Sequence, residues 1–291
     1  MRYCELERKI AMTLDRYPTT RKYLKYIYQR LNYLISRLQY NQALYLEPRV
    51  QIKRVLSDAR LGYEFFFGYY DKCPWSFDSK YYLVNIWNRI EKDKIRLGII
   101  DLDGHKLQIV GSTCTFNFQQ GAMFQWLNRY DYRVIFNTLR DRNLVSIIKD
   151  PFNHNEIKTV PLPIQCINGD GTEALSLNYK RLYKLRPEYG YSVEADNFSS
   201  NMAYEEDGIW KINLEAGKYQ LIITLADLMA INHRKEMDGA QHKINHIMYS
   251  PSGRNFIFMH RWICSRGKFS RLLMADNNGG KLKILLDDKM I

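Results

Sequence analysis

The chain has 291 residues, 46% of them hydrophobic and 25% charged, and a formal net charge of +12. That is enough chain to bury a large core, and the composition is that of a globular protein rather than a disordered or collagen-like one. No apolar run approaches the roughly eighteen residues of a membrane-spanning helix.

The charge is lopsided. Residues 1–60 hold thirteen Lys/Arg against five Asp/Glu, a net +8, which leaves +4 for the rest. Within this stretch Leu24, Ile27, Leu31, Leu34 and Leu38 recur every three or four positions and predict an amphipathic helix. Thr19 or Thr20 is the expected cap, just after Pro18. Glu47-Pro48 is expected to end the unit, with a short helix near 50–58. Residues 1–56 therefore read as a basic helical segment able to dock onto a protein partner or an anionic membrane surface. Nucleic acid is disfavoured as a partner, because the cations concentrate in an arm instead of spreading over a continuous surface.

From Glu64 onward the texture turns to β. After the run EFFFGYY, four segments can be laid over one another, each opening on a turn: Ser76–Ser79, Asn128–Asp131, Asn168–Gly171 and Ser250–Gly253. Each turn leads into a short β-prone run (YYLVNIW, RVIFNTL, EALSLNY, NFIFMHRW), a second run, a hairpin-like turn and a closing run. Repetition of this order predicts a mainly β protein, a β-propeller of four-stranded blades. The expected division is 1–60 for the helical segment and 61–291 for about four blades, near 64–111, 112–164, 165–228 and 240–286, forming an open or truncated arc. The third unit carries insertions around Lys180–Glu206 and Leu228–Lys243, which are expected to form loops on one face. Glu205, Glu206 and Asp207 read as a turn, and His233, beside Arg234 and Lys235, reads as solvated.

The five cysteines (Cys4, Cys73, Cys114, Cys166, Cys264) are odd in number, widely spaced and without a CxxC pair. They argue against a disulfide framework or a zinc site and for a reducing compartment. Met1 is followed by Glu5, Glu7, Arg8 and Lys9 rather than by an apolar signal run, so the expected location is the cytoplasm.

The stretch from Ala240 to Leu286 holds a close histidine cluster, His242, His246 and His260, interleaved with Arg261, Arg266 and Arg271. In NHIMYSP, FMH and the arginine eight residues before Gly279, the fourth unit resembles the oligogalacturonate lyases and the wider TolB/WD40-like propellers. GIWKINLEAGKYQLI, residues 208–222, is similar to the blade before it. FFGYYDKCPWS, residues 66–76, is similar to propeller proteins encoded with bacterial surface-polysaccharide genes. The resemblance implies β-elimination on uronate-containing oligosaccharides, with His246 as base, Arg261 or Arg271 clamping the carboxylate and His260 as a metal ligand. Two positions depart from the family's pattern. Arg261 stands where an acidic residue follows the metal histidine, and Ile247 replaces a proline. The family's other metal ligands lie in later blades, so no cofactor is certain and a divalent metal such as manganese is expected only together with them.

Asp71, Lys72 and Trp75 are candidates to line a sugar cleft, although packing between blades is the favoured role for Trp75. His242 is placed among substrate contacts or on a loop surface. Two readings follow: a carbohydrate-related propeller, binding or formerly catalytic toward acidic glycans, or a non-catalytic scaffold docked through its basic helix.

Overall fold

The computed structural model describes residues 18–39, 62–153 and 155–287. The chain divides into two compact units, Met1–Lys53 and Arg54–Ile291. In the first, helix α1 spans Pro18–Gln39. Pro18 opens it, a position where the missing N–H costs nothing, so Thr19 and Thr20 fall inside the first turn instead of capping it. The predicted boundary at Glu47-Pro48, the short helix near 50–58 and Cys4 lie outside the described residues.

The second unit is a β-propeller of four blades, each a four-stranded antiparallel sheet whose strands follow in chain order. The first blade is β1 (Tyr63–Phe66), β2 (Tyr81–Asn88), β3 (Ile95–Asp101) and β4 (Lys106–Thr113). The second is β5 (Gln125–Trp126), β6 (Val134–Arg140), β7 (Asn143–Lys149) and β8 (Glu156–Val160). The third is β9 (Cys166–Ile167), β10 (Glu173–Leu177), β11 (Gly208–Asn213) and β12 (Tyr219–Thr224). The fourth is β13 (Gln241–Tyr249), β14 (Asn255–Cys264), β15 (Gly267–Asp276) and β16 (Lys283–Leu286).

The repeated turns share one device. The first residue of each accepts, on its side-chain oxygen, a backbone N–H from the turn or from the residue that opens the next strand. Ser76 Oγ accepts from Tyr81 at 3.0 Å, and Asn128 Oδ1 from Tyr130 at 2.8 Å. Asn168 Oδ1 accepts from Glu173 at 3.1 Å, and Ser250 Oγ from Asn255 at 3.2 Å. Short polar side chains compete well for local backbone donors, which is why Ser and Asn recur there.

Alternation along the strands packs each sheet on both faces. In the second blade Val134 and Phe136 join one core cluster with Leu83, Leu97 and Ile99 of the first blade. Ile135, Leu144 and Ile148 turn the other way, into a cluster with Leu175, Ile212, Phe256 and Phe258 of the third and fourth blades.

Both insertions of the third unit, expected as loops, contain short helices. Asn178 caps α2 (Tyr179–Leu185), accepting from the N–H groups of Lys180 and Arg181. A capping box between Thr224 and Asp227 starts α3 (Leu225–Ala230). Between these two helices the chain passes back over α2 so closely that a Cβ on Gly190 would lie 2.1 Å from the Tyr183 nitrogen. Only glycine allows that approach, and it fixes the neighbouring Tyr189. Among the described residues no helix is long and apolar enough to cross a membrane.

Candidate functional site

The fourth blade sorts the predicted residues by strand parity. Along β14, Phe256, Phe258, His260 and Trp262 point to one fully buried face, while Met259, Arg261 and Ile263 point to the other and are only partly buried. His260 and Arg261 are neighbours in sequence and cannot share a site. Arg271 pairs with His260 across the β14–β15 ladder, so it too lies on the buried face.

On that face a hydrogen-bonded chain runs through the predicted catalytic and metal residues. Arg271 Nε donates to His260 Nδ1 at 3.2 Å, His260 Nε2 meets His242 Nδ1 at 2.9 Å, and His242 Nε2 meets the Met237 carbonyl at 3.1 Å. The carbonyl can only accept, so the proton of His242 sits on Nε2 and its Nδ1 accepts from His260. His260 Nδ1 is then free to accept from Arg271. A single proton arrangement satisfies every link, with both imidazoles neutral. The other ends of the Arg271 guanidinium bond the carbonyls of Ile231, at 2.8 Å, and Leu228. Burial, with the Arg271 charge second, holds His260 well below its ordinary value. His242 is likewise lowered, by burial first.

This chain settles two placements. His242 is a core residue, 0% exposed, and not loop surface. His260 does not fit a metal: both ring nitrogens are engaged and it is fully buried. Among the described residues, no group of three or more His, Cys, Asp or Glu side chains could hold one. Arg271 is anchored to the backbone carbonyls of Leu228 and Ile231 inside the blade.

Neutral, buried histidines tie stability to pH. Their unfolded counterparts protonate below about pH 6.5, so this contribution is complete above that value and lost as pH falls toward the depressed folded values. His246, pushed down to about 4 by burial first and Arg261 second, acts in the same window. Each histidine is expected to remove up to about 1.4 kcal/mol per pH unit there. Carboxylates held low by arginine partners, such as Glu156 by Arg140 and Asp196 by Arg142, act only near pH 4 and below. Urea midpoints measured from pH 8 to pH 5 should therefore fall already between pH 6.5 and 5. A flat profile over that interval would show the histidines to be charged or exposed.

The other face of the blade presents the second group. Lys243 and Arg261 stand directly opposite each other in the β13–β14 ladder, an arrangement of like charges that destabilises a sheet. Lys243 is 4% exposed. Burial first, then Arg186, Arg261 and Lys268, push its ammonium down to about 8. Its Nζ reaches the Leu185 carbonyl at 3.4 Å. The buried Nε of Arg261 has no hydrogen-bond partner among the described residues, and burial followed by Arg186 lowers this guanidinium too. A cavity of about 330 Å³ opens here, lined by Arg186, Glu188, Lys243, Arg261 and Lys268. Glu188 is the one carboxylate in that lining, 3.9 Å from Arg186.

His246 lies beside this group at a break in β13. The ladder shifts register between Asn245 and Met248, and His246 takes φ = 54°, which removes its ring from the strand's alternation. The ring stacks on Tyr69 at 5.4 Å and meets Tyr189 edge-on at 5.1 Å. Arg186 covers Tyr189 at 4.8 Å. Asp71 and Lys72 form a buried ion pair at 2.6 Å, and Asp71 Oδ1 has no hydrogen-bond partner among the described residues. Arg261, Asp71, Arg186 and Lys72 all contribute to the potential at His246. The structure thus gathers His246, Arg261, Asp71 and Lys72 in one neighbourhood and leaves His242, His260 and Arg271 in another. Trp75 is in neither: it is 47% exposed and packs edge-on against Tyr82 at 5.1 Å.

Sequence reasoning missed Lys243, Arg186, Tyr69 and Tyr189. Lys243 had a signal, since a lysine at a strand position one residue from a core histidine is exceptional. Arg186 and Tyr189 sit on an insertion whose path no local pattern reveals. Elsewhere Asp207, read as part of a turn, is buried in an ion pair with Arg181. His233 is half exposed and pairs with Asp238 at 2.9 Å. Cys73, Cys114, Cys166 and Cys264 are free, and burial pushes the Cys166 thiol up to about 12.

No protein-family model matches the chain, and no curated protein does. Among solved structures, TolB from Acinetobacter baumannii is 13% identical, with 77% of this chain and 44% of that one covered and a TM-score of 0.44. An oligogalacturonate lyase from Vibrio parahaemolyticus is 9% identical, covering 84% of this chain and 71% of that one, at a TM-score of 0.40. An oligogalacturonate lyase in complex with manganese is 11% identical, covering 77% and 66%, at 0.39. The chain spans less than half the length of that TolB and about two thirds of that manganese-bound lyase.

Proposed function

We propose that the protein is a carbohydrate-related propeller that binds an acidic, uronate-type glycan in the cleft between the third-blade insertion and the fourth blade. The observation that carries this reading is the cross-strand pair Lys243 and Arg261, with Arg186 and Lys268 lining the same cavity beside a single carboxylate. Two cations set opposite each other in a half-dry strand pair oppose folding. An anion bound between them relieves the repulsion and satisfies the Arg261 Nε, which has no hydrogen-bond partner among the described residues. A carboxylate suits that geometry, because guanidinium recognises it bidentately. The rings of Tyr69, Tyr189 and His246 pack against one another beside this group.

The test is calorimetric titration of the whole chain with galacturonate oligosaccharides and with neutral glucose oligosaccharides of equal length. Preference for the acidic series is expected, and Arg261→Ala or Lys243→Met should weaken binding on the order of 10-fold or more. Equal affinity for both series, or an unaffected Arg261→Ala, would sink the reading. The same samples followed in the near ultraviolet report elimination: a rise that needs His246 would make the site a lyase, and its absence leaves a binding site.

A further inference from the structure

Lys243 is more than an anion binder needs. Arginine meets a carboxylate bidentately, whereas a lysine is a point charge and, once deprotonated, a nucleophile. Lys243 heads a row that crosses the fourth blade: on β13 it faces Arg261 of β14, which faces Ser270 of β15. All three residues line the cavity of about 330 Å³. Lys243 is 4% exposed, and among the described residues no carboxylate pairs with it. Its Nζ has a single long hydrogen bond, to the Leu185 carbonyl at 3.4 Å. A lysine that only packs carries its head to water or to a carboxylate. Lys243 does neither, and shares the cavity lining with Arg186, Arg261 and Lys268. Burial beside other cations is the setting that turns a lysine into an amine nucleophile. With its ammonium pushed down to about 8, about one Lys243 in ten is a free amine at pH 7, against fewer than about one in a thousand for an ordinary lysine.

We propose that Lys243 condenses with the carbonyl of a small 2-oxo acid whose carboxylate is held by Arg261, forming an imine. This rests on the anion site proposed above and adds a reaction to it. The acid class follows from the row. In a 2-oxo acid the carbonyl carbon is bonded directly to the carboxylate carbon, so a carboxylate seated on Arg261 brings the carbonyl to the residue across the ladder. The nitrogen lone pair attacks the carbonyl carbon, and a C–N bond forms as the C–O π bond breaks. The carbinolamine then collapses to the imine, and both amine hydrogens leave with the carbonyl oxygen as water. Glu188, the one carboxylate in the lining, and the Ser270 hydroxyl are the groups there that can relay those protons.

Incubating the full chain with pyruvate and sodium cyanoborohydride at pH 7 tests this, because hydride addition to the imine carbon fixes the adduct as a secondary amine. Peptide mass mapping should place the label on Lys243, at a yield about 10-fold or more above that of Lys268 or any exposed lysine. Acetone, a carbonyl without a carboxylate, should label Lys243 about 10-fold less than pyruvate does. Arg261→Ala keeps the lysine and should lower the pyruvate yield by a similar factor, while Lys243→Met should abolish the label. Label spread over the exposed lysines, equal labelling by acetone, or an unchanged yield in Arg261→Ala overturns the proposal. The first two are decided on the unaltered chain, so they do not depend on a variant folding. Calorimetric preference for acidic oligosaccharides without a label on Lys243 overturns the imine and leaves the glycan reading in place. A label on Lys243 without that preference does the reverse.

Discussion

Replacing Arg271 with alanine is expected to lower the unfolding free energy by about 3–5 kcal/mol. Three acceptors depend on this one side chain: His260 Nδ1 and the carbonyls of Leu228 and Ile231. A buried acceptor left without a donor costs about 1–3 kcal/mol, and water entering the vacated space recovers part of that. The guanidinium also lies 5.6 Å from the Trp262 ring, so truncation leaves a void against a fully buried indole. Arg271→Lys should recover little, because an ammonium on a flexible stem cannot reproduce the three-way fork. Arg266→Ala is the control. Its side chain is 58% exposed with Glu236 3.7 Å away, and the expected change is within about 0.5 kcal/mol. Urea unfolding measures all three. A loss below about 1 kcal/mol for Arg271→Ala would mean that the carbonyls find water as readily as they find arginine.

The same residue shows where reading the sequence succeeded and where it failed. Turns headed by Ser76, Asn128, Asn168 and Ser250 were legible because their hydrogen bonds close within a few residues. The blades followed from them, and fold class needed nothing longer in range. The site needed more. Likeness to a lyase set His260 and Arg271 beside His246, yet NFIFMHRW already carried a correction: His260 shares parity with Phe256, Phe258 and Trp262, and so faces the core. His246 escapes parity only because β13 breaks register at its position, and a bulge depends on the partner strand. The opposition of Lys243 to Arg261 depends on that same register. Tyr69 and Tyr189 reach His246 from the first blade and from the insertion, contacts made across more than a hundred and about sixty residues of chain respectively.

Truncating Arg181 is the second large effect, and it tests whether the insertion that carries Arg186 and Tyr189 is held from within. Arg181 on α2 forms an ion pair with Asp207, at the end of the insertion, with side chains only 8% and 2% exposed. Asn178 caps α2 with its oxygen while its Nδ2 donates to Asp207 at 2.8 Å, and Arg181 also bonds the Met202 carbonyl and lies 4.9 Å over Tyr204. Burial raises the Asp207 carboxyl even with these partners in place. Desolvation of the charge therefore outweighs its attraction to Arg181. Arg181→Ala should consequently destabilise the protein by about 3–5 kcal/mol, the cost of a buried charge that has lost its partner. The double variant Arg181→Met/Asp207→Leu should be more stable than Arg181→Ala, since exchanging a whole buried pair for apolar groups of similar volume is often neutral. It should also keep its affinity for acidic oligosaccharides, because neither residue lines the cavity of Arg186, Lys243 and Arg261. The single variant is expected to lose affinity together with stability, as α2 and the Tyr189 turn loosen. If the double variant proves as unstable as Arg181→Ala, the hydrogen bonds that Arg181 gives to the Met202 carbonyl and that Asn178 gives to Asp207 hold the insertion, and the electrostatics of the pair are secondary.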